Sequence, residues 1–170
     1  VMPTLLTGQA QIEEQIERLE VHYLANSEGD LRFALLSDWT DAPLERMSGD
    51  DELLAATVEG IARLNRRHGP VPDGGERFLL FHRRRGWNAS ERKWIGWERK
   101  RGKLHELNRL LRGATDTTFV SMGNQASRAP SGVRYVITLD ADTRLPRGAA
   151  CRLVGTMAHP LNRPQFDPQV

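Results

Sequence analysis

The sequence predicts an α/β domain built on a mainly parallel sheet with flanking helices. Three observations carry this. Runs of β-branched and aromatic residues of strand length alternate with segments whose apolar residues recur at helical spacing. Gly, Pro and Asn/Asp clusters punctuate nearly every switch between the two. The composition suits an ordinary soluble domain, with 27% charged and 39% hydrophobic residues, 15 Gly and 9 Pro in a chain of 170.

Val1-Met2-Pro3-Thr4-Leu5-Leu6 reads as a short buried strand ending at Thr7-Gly8. Ile12, Ile16, Leu19, Tyr23 and Leu24 then give the apolar face of a helix, broken by Asn26-Ser27-Glu28-Gly29-Asp30. A second strand, Leu31 to Leu36, closes at Ser37-Asp38-Trp39-Thr40-Asp41-Ala42-Pro43. Ser48 with Asp51 three residues on has the form of a capping box. It opens a helix with Leu53, Leu54, Val58, Ile61 and Leu64 inward, stopped by His68-Gly69-Pro70. After a Pro/Gly linker comes a third strand, Phe78 to His82, and then a basic segment from Arg83 to Lys103. The next helix carries Leu104, Leu107, Leu110 and Leu111 inward and ends at Gly113. Thr115 to Gly132 are low in pattern and read as loop. Val133 to Leu139 have the composition of a fourth strand, and Ala149 to Ala158 that of a helix stopped by His159-Pro160.

Several function classes are excluded or unsupported. No apolar run approaches the roughly 18 residues of a membrane span, and no signal peptide is visible. Cys151 is the single cysteine, so there is no disulfide framework or multi-Cys zinc site. It falls on an apolar helix and reads as packing. The five histidines show no ligand spacing, and Ser37 has no sequence-evident His partner for a hydrolase triad. The net charge is only +2, and the positive charge is local, between Arg83 and Arg112. Arg83-Arg84-Arg85 and Arg99-Lys100-Arg101 read as a solvated face, with a phosphate clamp or an anionic membrane surface as functional alternatives. Trp87, Trp94 and Trp97 read as core or interface anchors rather than base-stacking platforms, and no nucleic-acid partner is assigned. Both ends read as cut from something longer, so residues 1–170 are expected to form part of a domain.

The candidate chemistry lies after the fourth strand, in Leu139-Asp140-Ala141-Asp142-Thr143. In an extended chain, side chains at i and i+2 share a face about 6–7 Å apart. Two ionised carboxylates that close repel by roughly 2–3 kcal/mol at an effective dielectric near 20. Water or a divalent cation relieves the repulsion, and substrate phosphates often complete such a cation's shell. Three readings stay open from these residues alone. Asp140 and Asp142 are a strand-end turn, or the Asp-x-Asp of nucleotide-sugar glycosyltransferases, or the Asp-x-Asp-x-Thr start of a haloacid-dehalogenase-type phosphatase. In a parallel sheet the ends of the first, second and fourth strands share one edge, which brings Thr4, Asp38 and Asp140 together. Asp38 could accept from a base N–H or ribose hydroxyls, and Lys103 could offset diphosphate charge.

Pro3-Thr4, Ser37-Asp38-x-x-Asp41, Gly102-Lys103-Leu104-His105-Glu106-Leu107-Asn108 and Leu139-Asp140-Ala141-Asp142, in that order, resemble the nucleotide-binding half of family-2-like GT-A glycosyltransferases. Trp94-x-Gly96-Trp97-Glu98-Arg99-Lys100-Arg101-Gly102-Lys103-Leu104, with Val133 through Pro146, is more narrowly similar to the glycosyltransferase domain of cyclic β-1,2-glucan synthases. The resemblance covers nearly the whole chain. It implies a partial, Rossmann-like GT-A domain within a much larger enzyme at the cytoplasmic face of the bacterial inner membrane. The membrane spans would lie in segments outside this chain. The implied substrates are UDP-glucose and a growing β-1,2-glucan acceptor, with the remainder of the same polypeptide as partner. It implies Thr4 and Asp38 on the uridine, Lys103 on the nucleotide side, Asp140 on ribose or metal, and Asp142 on Mg²⁺ or Mn²⁺. Turning an α-linked donor into a β-linkage implies inversion, with a carboxylate base expected beyond Val170 and no turnover from this chain alone. The order weighs against the phosphatase, whose Asp-x-Asp strand comes early and needs a lysine and an acidic pair downstream. A non-catalytic α/β module is the remaining alternative; it would tolerate Asn at Asp140 and Asp142 without loss of any ligand.

Overall fold

A computed structural model describes residues 1–121, 129–140 and 142–162. The expected α/β class holds. Strands β1 (Met2–Leu6), β2 (Phe33–Trp39) and β3 (Phe78–Arg83) form a parallel sheet in that spatial order. Helix α1 (Gln9–Ala25) connects the first two strands and α2 (Asp50–His68) the second and third. Both helices pack on one face, where Met2, Leu35, Phe78 and Leu80 meet Ile12, Ile16, Leu19, Ile61 and Leu64. Helix α3 (Arg99–Leu111) covers the other face, setting Leu107 on Ala34, Leu36, Leu79 and Phe81. Strands β2 and β3 are therefore buried on both sides, as their nearly continuous apolar runs require, while Leu5 of β1 stays exposed.

Several local expectations change. Leu24 is exposed, because the buried stripe of α1 continues from Leu19 to His22 rather than to a residue five positions on. The Ser48–Asp51 capping box does not form. Gly49 precedes α2 in a left-handed conformation, and Asp50 accepts the Met47 N–H at 2.8 Å. Inside the basic segment lies an antiparallel hairpin, β4 (Gly86–Asn88) with β5 (Lys93–Ile95), pinned to the body where Ala42 bridges Trp94. The loop after α3 is partly ordered against the sheet, since Phe119 bridges Arg83 and packs on Phe81.

Val133 to Leu139 are extended but make no strand ladder among the described residues. Val1 N donates to Ile137 O at 2.7 Å and Leu139 N to Val1 O at 3.0 Å, a single parallel step beside β1. The segment does not close on the sheet. An apolar cavity of about 380 Å³ separates Val133 and Tyr135 from Phe81, Leu107 and Leu111. Helix α4 (Ala149–Ala158) follows with the expected bounds and docks on the end of α1, where Asn26 Oδ1 accepts the Ala150 N–H at 2.9 Å. Only Ala150 of α4 is buried, leaving Leu153 and Met157 exposed. Among the described residues, no helix is long and apolar enough to cross a membrane.

Candidate functional site

The carboxyl ends of β1 and β2 meet the first turns of α3 in a buried polar cluster. The Lys103 ammonium donates to the Thr4 carbonyl at 2.6 Å and lies 3.1 Å from Asp38 Oδ2. Arg83 grips the same carboxylate in a fork, Nε to Oδ1 at 2.8 Å and Nη2 to Oδ2 at 2.9 Å. Asp38 is 1% exposed, Lys103 3% and Arg83 0%. Charges this deep must balance. A second carboxylate, Glu106 of α3, lies 3.5 Å from Arg83 Nη1 and also accepts the Thr118 hydroxyl, so two cations face two anions. Burial holds the Lys103 pKa below the usual lysine value, with Asp38 opposing that shift.

Register explains why the chain folds this way. Asp38 and Arg83 are direct partners across the β2–β3 pair. Strand alternation puts them on the α3 face, along from Leu36 and Phe81. Arg83 then donates to the carbonyls of Trp97 and Arg99, both at 3.1 Å. Those carbonyls belong to a turn in which Glu98 (φ 51°) and Arg99 (φ 46°) are left-handed, a conformation that costs about 1–3 kcal/mol per non-Gly residue. Two glycines let the turn close. A Cβ at Gly96 would lie 2.6 Å from Asp38 Oδ2, and one at Gly102 would lie 1.8 Å from the Trp97 carbonyl oxygen. The Trp-x-Gly-Trp…Gly-Lys spacing is thus the spacing of a turn folded down onto a buried carboxylate.

Lys100, three residues before Lys103 and so on the same helical face, pairs with Asp140. Helix α3 therefore links the β1–β2 edge to the Asp-x-Asp turn. That turn is closed by the Thr143 N–H donating to the Asp140 carbonyl at 2.9 Å. Asp140 and Asp142 are both exposed. Among the described residues no group of three or more His, Cys, Asp or Glu side chains could hold a metal. Two carboxylates, one already drawing a lysine, fit the partial donor set that Mg²⁺ takes when phosphates and water supply the rest.

Thr4, Asp38 and Lys103 are thus brought together, and α3 joins Asp140 to them. Thr4 enters through its main-chain carbonyl. Asp38 differs from its expected part: Arg83 and Lys103 already occupy both carboxylate oxygens and enclose them, where direct acceptance from a nucleoside was expected. The arginine run is not a uniform solvated face. Arg83 and Arg85 are buried, and only Arg84 is exposed. Continuing the β3 alternation two residues past Phe81 would have found Arg83.

Sequence reading also missed a cluster on the opposite face. Ser37 and His82 are register partners, and Ser37 Oγ lies 2.9 Å from His82 Nδ1. Both are fully buried, so the pair is no hydrolase centre. Burial lowers the His82 pKa to about 4, and its Nε2 has no hydrogen-bond partner among the described residues. Beside it, Arg85 holds Asp50 with Nη1 at 2.5 Å and Nη2 at 3.2 Å.

No protein-family model matches the chain. Over 169 residues, 99% of its length, the chain is 50% identical to the cyclic β-(1,2)-glucan synthase NdvB of Rhizobium meliloti (strain 1021), and it spans only 6% of that protein. The chain is therefore homologous to one segment of a cyclic β-(1,2)-glucan synthase.

Proposed function

We propose that the chain is the donor-binding part of a UDP-glucose-dependent, inverting glucosyltransferase that builds β-1,2-glucan. The observation that carries this reading is the meeting of Thr4, Asp38 and Lys103 at one sheet edge, with Lys100 tying the same helix to Asp140. Open α/β sheets bind ligands outside the carboxyl ends of their strands. The homology to a segment of a cyclic β-(1,2)-glucan synthase supports the product.

In this reading Thr4, Asp38, Lys103 and Asp140 form the nucleotide side of a GT-A-type site. Asp38 acts through Lys103: its buried carboxylate fixes the ammonium beneath the β1–β2 edge, where a diphosphate would lie. Asp140 and Asp142 hold Mg²⁺ or Mn²⁺, which when bound supplies Lewis-acid stabilisation of the departing diphosphate. Lys100, exposed beside Asp140, adds a second positive charge on that side. The base that activates the acceptor hydroxyl of the growing glucan belongs with the remainder of the polypeptide, beyond Val170. Other segments of that polypeptide hold the assembly at the cytoplasmic face of the bacterial inner membrane. Nucleic acid is not a partner.

The test is titration calorimetry of the chain with UDP, with and without Mn²⁺, in the wild type and in Asp142→Asn. Saturable binding that needs Mn²⁺ and weakens at least tenfold in the variant is the expected result. Affinity unchanged in Asp142→Asn would overturn the metal assignment. Release of phosphate from p-nitrophenyl phosphate, lost in Asp140→Asn, would assign the motif to a phosphatase instead.

A further inference from the structure

We propose that the cleft between the β4–β5 hairpin and the turn before α3 binds a carbohydrate chain, a run of glucose units, beside the donor site. The inference rests on the glucosyltransferase reading and names where its polymer lies. Trp87 and Trp97 flank the cleft and are 54% and 50% exposed. Indole rings are usually largely buried, and two that border one cleft while half in water mark a contact surface. The rings are braced: Trp87 lies 5.8 Å from Trp94, and Trp97 meets His105 edge-on at 5.9 Å. The left-handed turn at Glu98 and Arg99, held by Arg83 through the Trp97 and Arg99 carbonyls, fixes where the Trp97 ring emerges.

The cleft measures about 390 Å³, within the roughly 300–1,000 Å³ of small-ligand sites. Its polar lining includes Asn88, Glu91, Glu98 and Arg99. Several of their hydrogen-bonding atoms remain weakly used. Asn88 Oδ1 accepts the N–H groups of Ser90 and Glu91, but among the described residues Asn88 Nδ2 has only a 3.5 Å contact with Glu91 Oε1. Glu91 gives its other oxygen to Arg99, and Glu98 gives one oxygen to Arg101. Flat rings with carboxylate, amide and guanidinium groups at their edges match a pyranose. Its C–H face stacks on an indole, and its equatorial hydroxyls pair with bidentate polar groups. Aromatic rings with arginine would also suit nucleotide bases, but Arg99 is paired with Glu91 and Asp41 and Arg101 with Glu98, which leaves the cleft without the uncompensated positive charge a phosphate backbone needs.

The test is calorimetry and tryptophan fluorescence of the full chain titrated with a linear β-1,2-linked gluco-oligosaccharide, without UDP or metal. Saturable binding is expected, weakened at least tenfold in Trp87→Ala and at least severalfold in Glu91→Gln, with far-ultraviolet circular dichroism unchanged. Binding of UDP with Mn²⁺ should stay the same in Trp87→Ala. Because the sugar readout uses neither UDP nor metal, loss of one binding with retention of the other separates the two proposals. Absence of saturable sugar binding by the folded wild type would overturn the inference, as would full affinity in Trp87→Ala. Concentration-dependent dimerisation abolished by Trp87→Ala, with no sugar binding, would assign the face to protein contact and also overturn it.

Discussion

Lys103 and Asp38 form an ion pair of 3.1 Å that is shielded from solvent, although α3 and β2 are far apart in the chain. The pair is one edge of a network that also takes in the Thr4 carbonyl, Arg83 and the Trp97–Arg99 turn. Stability and the candidate donor edge therefore depend on the same few groups.

Asp38→Asn removes the counter-charge of two buried cations. Breaking one member of a buried ion pair typically costs about 3–5 kcal/mol, because the partner stays buried and unpaired. Urea unfolding should show a loss of that order. Lys103→Met should cost less, since Asp38 then keeps both bonds from Arg83. An equal or larger loss in Lys103→Met would contradict the assigned order.

Glycine replacements separate propensity from packing. Alanine in place of a helical glycine ordinarily gains about 1 kcal/mol. At Gly155 of α4 an added Cβ meets nothing within 4 Å among the described residues, and Gly155→Ala should raise the unfolding midpoint. At Gly102 the Cβ would sit 1.8 Å from the Trp97 carbonyl oxygen, and backbone cannot swing aside as a flexible side chain can. Gly102→Ala should instead destabilise by about 1–3 kcal/mol, the usual range for overpacking. Opposite signs in the two variants are the expected outcome of parallel denaturation curves.

His82 makes the fold acid-sensitive. Its pKa is about 4 in the fold, against an ordinary value of 6.5. As pH falls below about 6.5, the unfolded chain takes up a proton that the folded chain refuses, so stability drops until pH reaches about 4. The span corresponds to about 3 kcal/mol at 1.36 kcal/mol per pKa unit. Denaturant unfolding at pH 7, 5.5 and 4.5 should follow this slope, and His82→Gln should flatten it. An unchanged slope in the variant would move the effect to other groups.

Lys100 competes with any cation for Asp140. An exposed pair of this kind is worth about 0–1 kcal/mol. Lys100→Met should therefore tighten Mn²⁺ binding by the nucleotide-free chain by up to about fivefold. Weaker Mn²⁺ binding in that variant would argue against a metal at Asp140.

The strand-and-helix order, the face of α2, the bounds of α4 and the left-handed Gly113 after α3 were legible in the sequence, because each follows from spacing within one element. Thr4 and Asp38 could also be picked out, since strand ends in a parallel sheet share an edge, whereas Lys103 lies on α3 and Asp140 follows a segment that, among the described residues, does not join the sheet. The actual contacts of these residues could not be picked out. Whether Asp38 faces a ligand or an arginine depends on the β2–β3 register, which pairs it with Arg83 and pairs Ser37 with His82. Whether an arginine run is solvated or buried depends on where its strand ends, and β3 extends one residue past His82 to take in Arg83. The Val133–Leu139 segment has a strand's composition but only one parallel step beside β1. Local spacing is encoded along the chain. Register, charge burial and the closing of the Trp97–Arg99 turn over Asp38 are properties of elements meeting in space, and only the tertiary structure decides them.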